Sequence, residues 1–184
     1  PVLDDFRKEY GEDGRKVGFD DERMRTLRCR YLNAFVHDVR QTLDKVGKKK
    51  GKRLDLSASM LGVPNQNRDL GMDPVHWIGQ GWLDSVVCHV DTTFSPEWVA
   101  AATKAHKCQY ILNGYGGDLA KHWVTGYNLG VDGFAVWDID EHQNSPTLWP
   151  VLRRAGHRKE MEAAAKAAPA PLTTVRLKTV GGFD

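Results

Sequence analysis

"DSVVCHVDTTFSPEWV", residues 84–99, compresses the fold into sixteen letters. The apolar run Asp84–Val90 reads as a strand. Ser95-Pro96 then pairs an N-cap residue with proline at the first helical position, which opens a helix. Working outward, the same two-part unit recurs. Strands are expected at Leu54–Met60, Asp84–Val90, Cys108–Gly114 and Gly133–Ile139. Asp73-Pro74 opens a helix after the first, and Asp118 caps one that carries Leu119, Trp123 and Tyr127 and stops at Gly130. Ser145-Pro146 opens the last, with Pro150 arguing for a late start or a kink.

Strand starts about 25–30 residues apart are the spacing of βα units and parallel sheets. Apolar runs of this kind imply strands covered on both faces. Ahead of them, Met24, Leu27, Tyr31, Phe35, Val39, Leu43 and Val46 recur every three or four residues and predict a helix over Asp20–Val46, stopped by Gly47. Glu160–Ala168 is helix-prone. The reading is α/β: one helix, then four parallel (β/α) repeat units, half of what a (β/α)8 TIM-type barrel requires. A free-standing doubly wound sheet is the alternative. No Gly-rich phosphate fingerprint follows any strand, and "NGYGGD" at 113–118 lacks the required spacing. Residues 1–168 are expected to form the half-barrel. Residues 169–184 read as a linker and the start of a further β segment, so both ends look truncated.

Twenty-six basic residues against 24 acidic ones leave a formal charge of +2, too balanced to point to nucleic acid. The basic run Lys48-Lys49-Lys50 fits a solvated turn that complements a helix C-terminus. No apolar stretch approaches the ~20 residues that cross a bilayer. Cys29, Cys88 and Cys108 form neither a disulfide framework nor a zinc spacing, and Cys88 and Cys108 fall inside strands as packing residues. Among six tryptophans, Trp77, Trp98, Trp123 and Trp149 sit at helical spacing and are expected in the core.

Ligand sites of parallel α/β architectures lie at the carboxyl ends of the strands. That rule selects Ser57, Ser59 and the loop "GVPNQNRD" after the first strand, His89 and Asp91 after the second, and Asn113, Tyr115 and Asp118 after the third. Trp137, Asp138, Asp140, Glu141 and His142 follow the fourth. His89 and Asp91 share a face of an extended strand, as do Asp138 and Asp140. If Trp137 lines the pocket instead, Asp138 turns toward the helices unless a bulge intervenes. Trp137 and Tyr115 are placed to stack on a ligand, and aromatics beside carboxylates and amides suit a sugar ring. His89, Asp91, Asp138 and Asp140 also permit a divalent ion, although their spacing is not specific for one. Nothing calls for a cofactor, and no GxSxG elbow signals a serine nucleophile.

The runs "PVLDDFRKEYGED", "RYLNAFVHDVRQTLDKVG" and "LDLSASMLGVPNQNRDLGMDPVHWIGQGWLDSVV" resemble the bacterial glycoside hydrolase family ten-like barrels. The resemblance covers about residues 1–155 and is most telling from Gly71-Met72-Asp73 through Trp77 and from Gly81 to Asp84. It implies a (β/α)8 barrel, usually exported to the periplasm or cell exterior and often carrying an appended β domain. This chain would supply strands five to eight, with the remainder of the barrel as its partner. In related glycosidases the acid/base ends strand four, which here would precede Pro1. Their nucleophile is a glutamate on strand seven, whereas this strand ends Leu112-Asn113-Gly114-Tyr115. The expected activity is hydrolysis of O-glycosidic bonds in a polysaccharide or oligosaccharide. Asp138, Asp140 and Asp91 are the candidate catalytic acids. His89, Asn113, Tyr115, Trp137 and Glu141 are the candidate substrate contacts. A non-catalytic carbohydrate-binding barrel and a metal-dependent hydrolase are the alternatives.

Overall fold

A computed structural model describes residues 1–89, 97–114, 119–136 and 148–167. Helix α1 (Val2–Tyr10) and a 3-10 turn (Gly14–Lys16) precede the long helix α2 (Glu22–Lys50). Then come β1 (Ser57–Leu61), α3 (Pro64–Asp69), α4 (Pro74–Gly79), β2 (Ser85–His89), α5 (Glu97–His106), β3 (Gln109–Gly114), α6 (Leu119–Leu129), β4 (Gly133–Val136), α7 (Leu148–Leu152) and α8 (Arg158–Lys166).

The four strands form one parallel sheet in the order β1-β2-β3-β4. Strand order therefore follows chain order, with no reversal among the described residues. Burial alternates along the strands, as a two-residue side-chain period requires. Met60, Val86, Cys88, Tyr110 and Leu112 pack with Trp77, Ile78, Leu83 and Val99 of the α4 and α5 region, joined by Leu32 and Val36 of α2. Phe134 and Val136 meet Leu119, Trp123 and Met161 of α6 and α8. Among the described residues, the even-numbered strand residues thus face the helices that pack on the sheet. The opposite face carries Ser57, Ser59, Ser85, His89, Gln109 and Asn113 beside Leu61, Val87 and Ile111. The apolar runs were expected to mark strands covered on both faces; among the described residues, helices cover one.

Local sequence explains most element ends. Asp21 caps α2 by accepting the backbone N–H groups of Arg23 and Met24, and Asp73 caps α4 through the N–H of His76. Helix α7 starts at Leu148, so Pro150 falls in its first turn, where proline is tolerated. Helix α2 does not stop at Gly47; it runs to Lys50 and is capped by Gly51 at φ 67°. Gly47 has another task. A Cβ there would sit 2.5 Å from the Lys52 carbonyl oxygen, so its bareness lets the chain fold back across the helix. Lys48, Lys49 and Lys50 lie exposed in the last turn, as expected.

The apolar stripe of α2 is only partly buried. Met24 and Leu27 join Phe6 of α1, whereas Phe35 is 62% exposed and Tyr31 and Val46 are also exposed. The helix changes partner along its 29 residues: α1 covers its first turns at one angle, and the sheet meets Leu32, Val36 and Arg40 at another. Trp77 and Trp123 are core residues as expected, but Trp149 is 43% exposed. Gly126 brings α6 down onto the sheet, because a Cβ there would lie 2.7 Å from Phe134 Cε1 and 2.8 Å from Leu112 Cδ2.

Candidate functional site at the carboxyl rim of the sheet

The two ends of the sheet are built differently. At the amino end, Asp84 stands just before β2. One of its carboxylate oxygens accepts from Arg40 Nη1 at 3.1 Å and from the Leu56 N–H at 2.9 Å; the other accepts from Arg53 Nε at 2.6 Å. Arg40 is 3% exposed and also donates to the Leu54 carbonyl at 2.9 Å. Asp132, just before β4, plays a parallel part: its carboxylate accepts the Tyr110 N–H at 2.8 Å, and its own N–H donates to the Tyr110 carbonyl. These acids tie neighbouring strands together. The sequence reading missed them, although an aspartate directly ahead of an apolar strand was a visible signal at both places.

The carboxyl end carries different chemistry. Leu61 of β1 is in register with His89 of β2, His89 with Asn113 of β3, and Asn113 with Ala135 of β4. Parity puts all four on the face that the helices leave open. Adjacent strands are spaced about 4.8 Å apart, so His89 and Asn113 are immediate neighbours. The structure brings these two candidates together. His89 is half-buried, and Asn113 is 1% exposed. Neither Oδ1 nor Nδ2 of Asn113 has a hydrogen-bond partner among the described residues.

The loop after β1 is held by another asparagine. Asn67 Oδ1 accepts the Leu61 N–H at 2.9 Å, while its Nδ2 donates to the Leu61 and Val63 carbonyls at 2.8 and 3.1 Å. This side chain extends the hydrogen bonding of β1, so within "GVPNQNRD" it is an architectural residue. Trp98 Nε1 donates to the Gly62 carbonyl at 2.8 Å, tying the start of α5 to the same rim. Ser57 and Ser59 lie within β1, exposed on the open face, rather than beyond its end.

Asp91, Tyr115, Asp118, Trp137, Asp138, Asp140, Glu141 and His142 fall outside the described residues. Among the described residues, no group of three or more His, Cys, Asp or Glu side chains could hold a metal ion, and no helix is long and apolar enough to cross a membrane. All three cysteines are buried, and none forms a disulfide. Burial, reinforced by the charges of Asp84 and Asp132, pushes the Cys108 thiol up to about 11. Burial likewise raises Cys29, with Asp73 adding to it. Neither sulfur is poised as a nucleophile.

Two clefts open at the amino end of the sheet. One, of about 370 Å³, is lined by Thr103, Lys104, Lys107, Cys108 and Asp132; the other, of about 510 Å³, lies beside Asp44, Lys48 and Arg53. Neither reaches His89 or Asn113, and their lysines are exposed. They are spaces between element ends, and the polar pair at the opposite rim is the better candidate site. No protein-family model matches the chain, and no curated protein matches it either.

Proposed function

We propose that this chain supplies four consecutive units of a (β/α)8 glycoside hydrolase-like barrel, acting at its carboxyl rim on a polysaccharide or oligosaccharide outside the cytoplasm. The observation that carries the reading is the row Leu61–His89–Asn113–Ala135, where a polar pair ends two central strands on the open face. Consecutive strand order with helices on one face supports the barrel, since a doubly wound sheet reverses its order and covers both faces. Closure then requires four further strands, from this or another polypeptide.

Cleavage of a glycosidic bond needs two carboxyl groups, ~5–5.5 Å apart for retention or ~6.5–9.5 Å for inversion. Asp138 or Asp140 would be one, and Asp91 or a residue of the remaining barrel the other. His89, Asn113, Tyr115 and Glu141 would bind hydroxyls. Trp137 would floor the pocket for a sugar ring.

A binding module that does not cleave is the second reading. It is favoured by one observation: the open face of the described strands, from Ser57 to Ala135, carries no carboxylate. Reducing-sugar release from a panel of soluble polysaccharides separates the two. Hydrolysis that falls roughly 10²–10⁴-fold in Asp138→Asn or Asp140→Asn, with binding retained, supports the enzyme. Wild-type binding without released sugar supports the module. Hydrolysis abolished by a chelator and restored by a divalent ion would move the reading to a metal-dependent hydrolase.

A further inference from the structure

Asn67 and Asn113 are both buried, at 0% and 1% exposure, and they make opposite use of their amides. Asn67 spends both polar atoms on the backbone of Leu61 and Val63. Asn113 spends neither on a described residue. Burying an amide without partners costs roughly 1–3 kcal/mol on the scale of protein mutations, so an apolar residue of the same size would suit this position better in the free fold. The amide is therefore held at the rim for something other than the fold.

Its surroundings limit what that is. His89 lies on one side of it in register and Ala135, with a short side chain, on the other. A primary amide offers one acceptor and two donors on adjacent atoms. A carboxylate or phosphate only accepts and an ammonium only donates, so each would use half of it. A vicinal diol, in which one hydroxyl donates and its neighbour accepts, uses both. Screening from bulk water strengthens each contact, because solvent does not compete for it.

Resting on the carbohydrate reading above, we propose that Asn113 is the specificity-determining residue of the rim, recognising a vicinal diol of a neutral sugar by a two-point hydrogen bond with His89 as the adjacent contact. A ligand that replaces one hydroxyl of the pair forfeits half of the interaction. Sites built to hydrogen-bond a polar group discriminate strongly against ligands lacking it, since the protein group is then left buried and unpaired.

The test uses this chain assembled with the strands that complete its barrel, and cellohexaose, xylohexaose and chitohexaose, the last carrying an acetamido group in place of one hydroxyl of the 2,3-diol. Binding is read by titration calorimetry and stability by Tm for wild type, Asn113→Leu, Asn113→Ala and the control Asn67→Leu. Wild type is expected to prefer a diol-bearing oligosaccharide. Asn113→Leu should hold or raise Tm, lose at least tenfold in affinity and lose the preference over chitohexaose, whereas Asn67→Leu should lower Tm. Asn113→Ala gives the binding result even where leucine packs badly. Unchanged affinity or preference in both Asn113 variants overturns the inference, as does a Tm loss in Asn113→Leu matching that of Asn67→Leu. Failure of the wild type to bind any of the three sugars defeats the carbohydrate reading itself, and the inference with it.

Discussion

Replacing Asp84 by alanine tests how the amino end of the sheet is held together. The carboxylate ties Arg40, Arg53 and the Leu56 N–H, and the side chains of Arg40 and Asp84 are only 4% and 22% exposed. The three losses differ in size. Arg53 is half exposed, so its pair contributes about 0–1 kcal/mol. The Leu56 N–H loses its acceptor, at about 1 kcal/mol. Removing one partner of a buried ion pair costs ~3–5 kcal/mol, but Arg40 keeps Asp44 at 2.6 Å and the Leu54 carbonyl, which leaves about 2 kcal/mol. Asp84→Ala is therefore expected to cost about 3–4 kcal/mol, and Asp84→Asn, which keeps an acceptor, about half as much. Urea unfolding followed by tryptophan fluorescence measures both, through the midpoint at unchanged slope. Adding Arg40→Leu to Asp84→Ala should recover part of the loss, because the stranded cation is removed with its partner. A cost below about 1 kcal/mol, or strictly additive effects in the double variant, would refute the reasoning.

Two further outcomes follow from the core. The folded Cys108 thiol titrates at about 11 against an ordinary 9.0, so the native state holds this proton more tightly than the unfolded chain does. Its contribution is complete below pH 9 and lost as pH rises toward 11; Cys108→Ala should flatten that part of the stability curve, and superimposable curves would contradict the assignment. Gly126→Ala should cost about 1–2 kcal/mol, since crowding against Phe134 and Leu112 outweighs the gain in helix propensity. A Tm equal to or above wild type would show that α6 can lift away from the sheet at no cost.

The strands were legible because each is an apolar run flanked by helix punctuation. Three of the four begin within one residue of expectation, at Ser85, Gln109 and Gly133. β1 begins three residues late, at Ser57, for a reason no pattern shows: Asp84 takes both backbone polar groups of Leu56, which then pair with that residue instead of a neighbouring ladder. Helix α1 was overlooked although Val2, Phe6 and Tyr10 recur at four-residue spacing; so short a helix depends on packing Phe6 against Met24 and Leu27, far along the chain. Helix α3 has six residues, too few for periodicity to register. The rim rule named His89 and Asn113 separately, and both lie at the carboxyl ends of adjacent strands. Their side-by-side placement depends on inter-strand register, and the unpaired amide of Asn113 depends on packing, and neither quantity is written in one strand alone.

Paired and unpaired polar groups fall at opposite ends of the same strands. Asp84, Arg40 and Asp132 secure the ends where chains enter the sheet, and Asn113 is left uncommitted where they leave it. Substitutions at Asn113 can therefore be made without drawing on the contacts that hold the entry ends. A saturation scan should show tolerance rising along each strand from entry to exit.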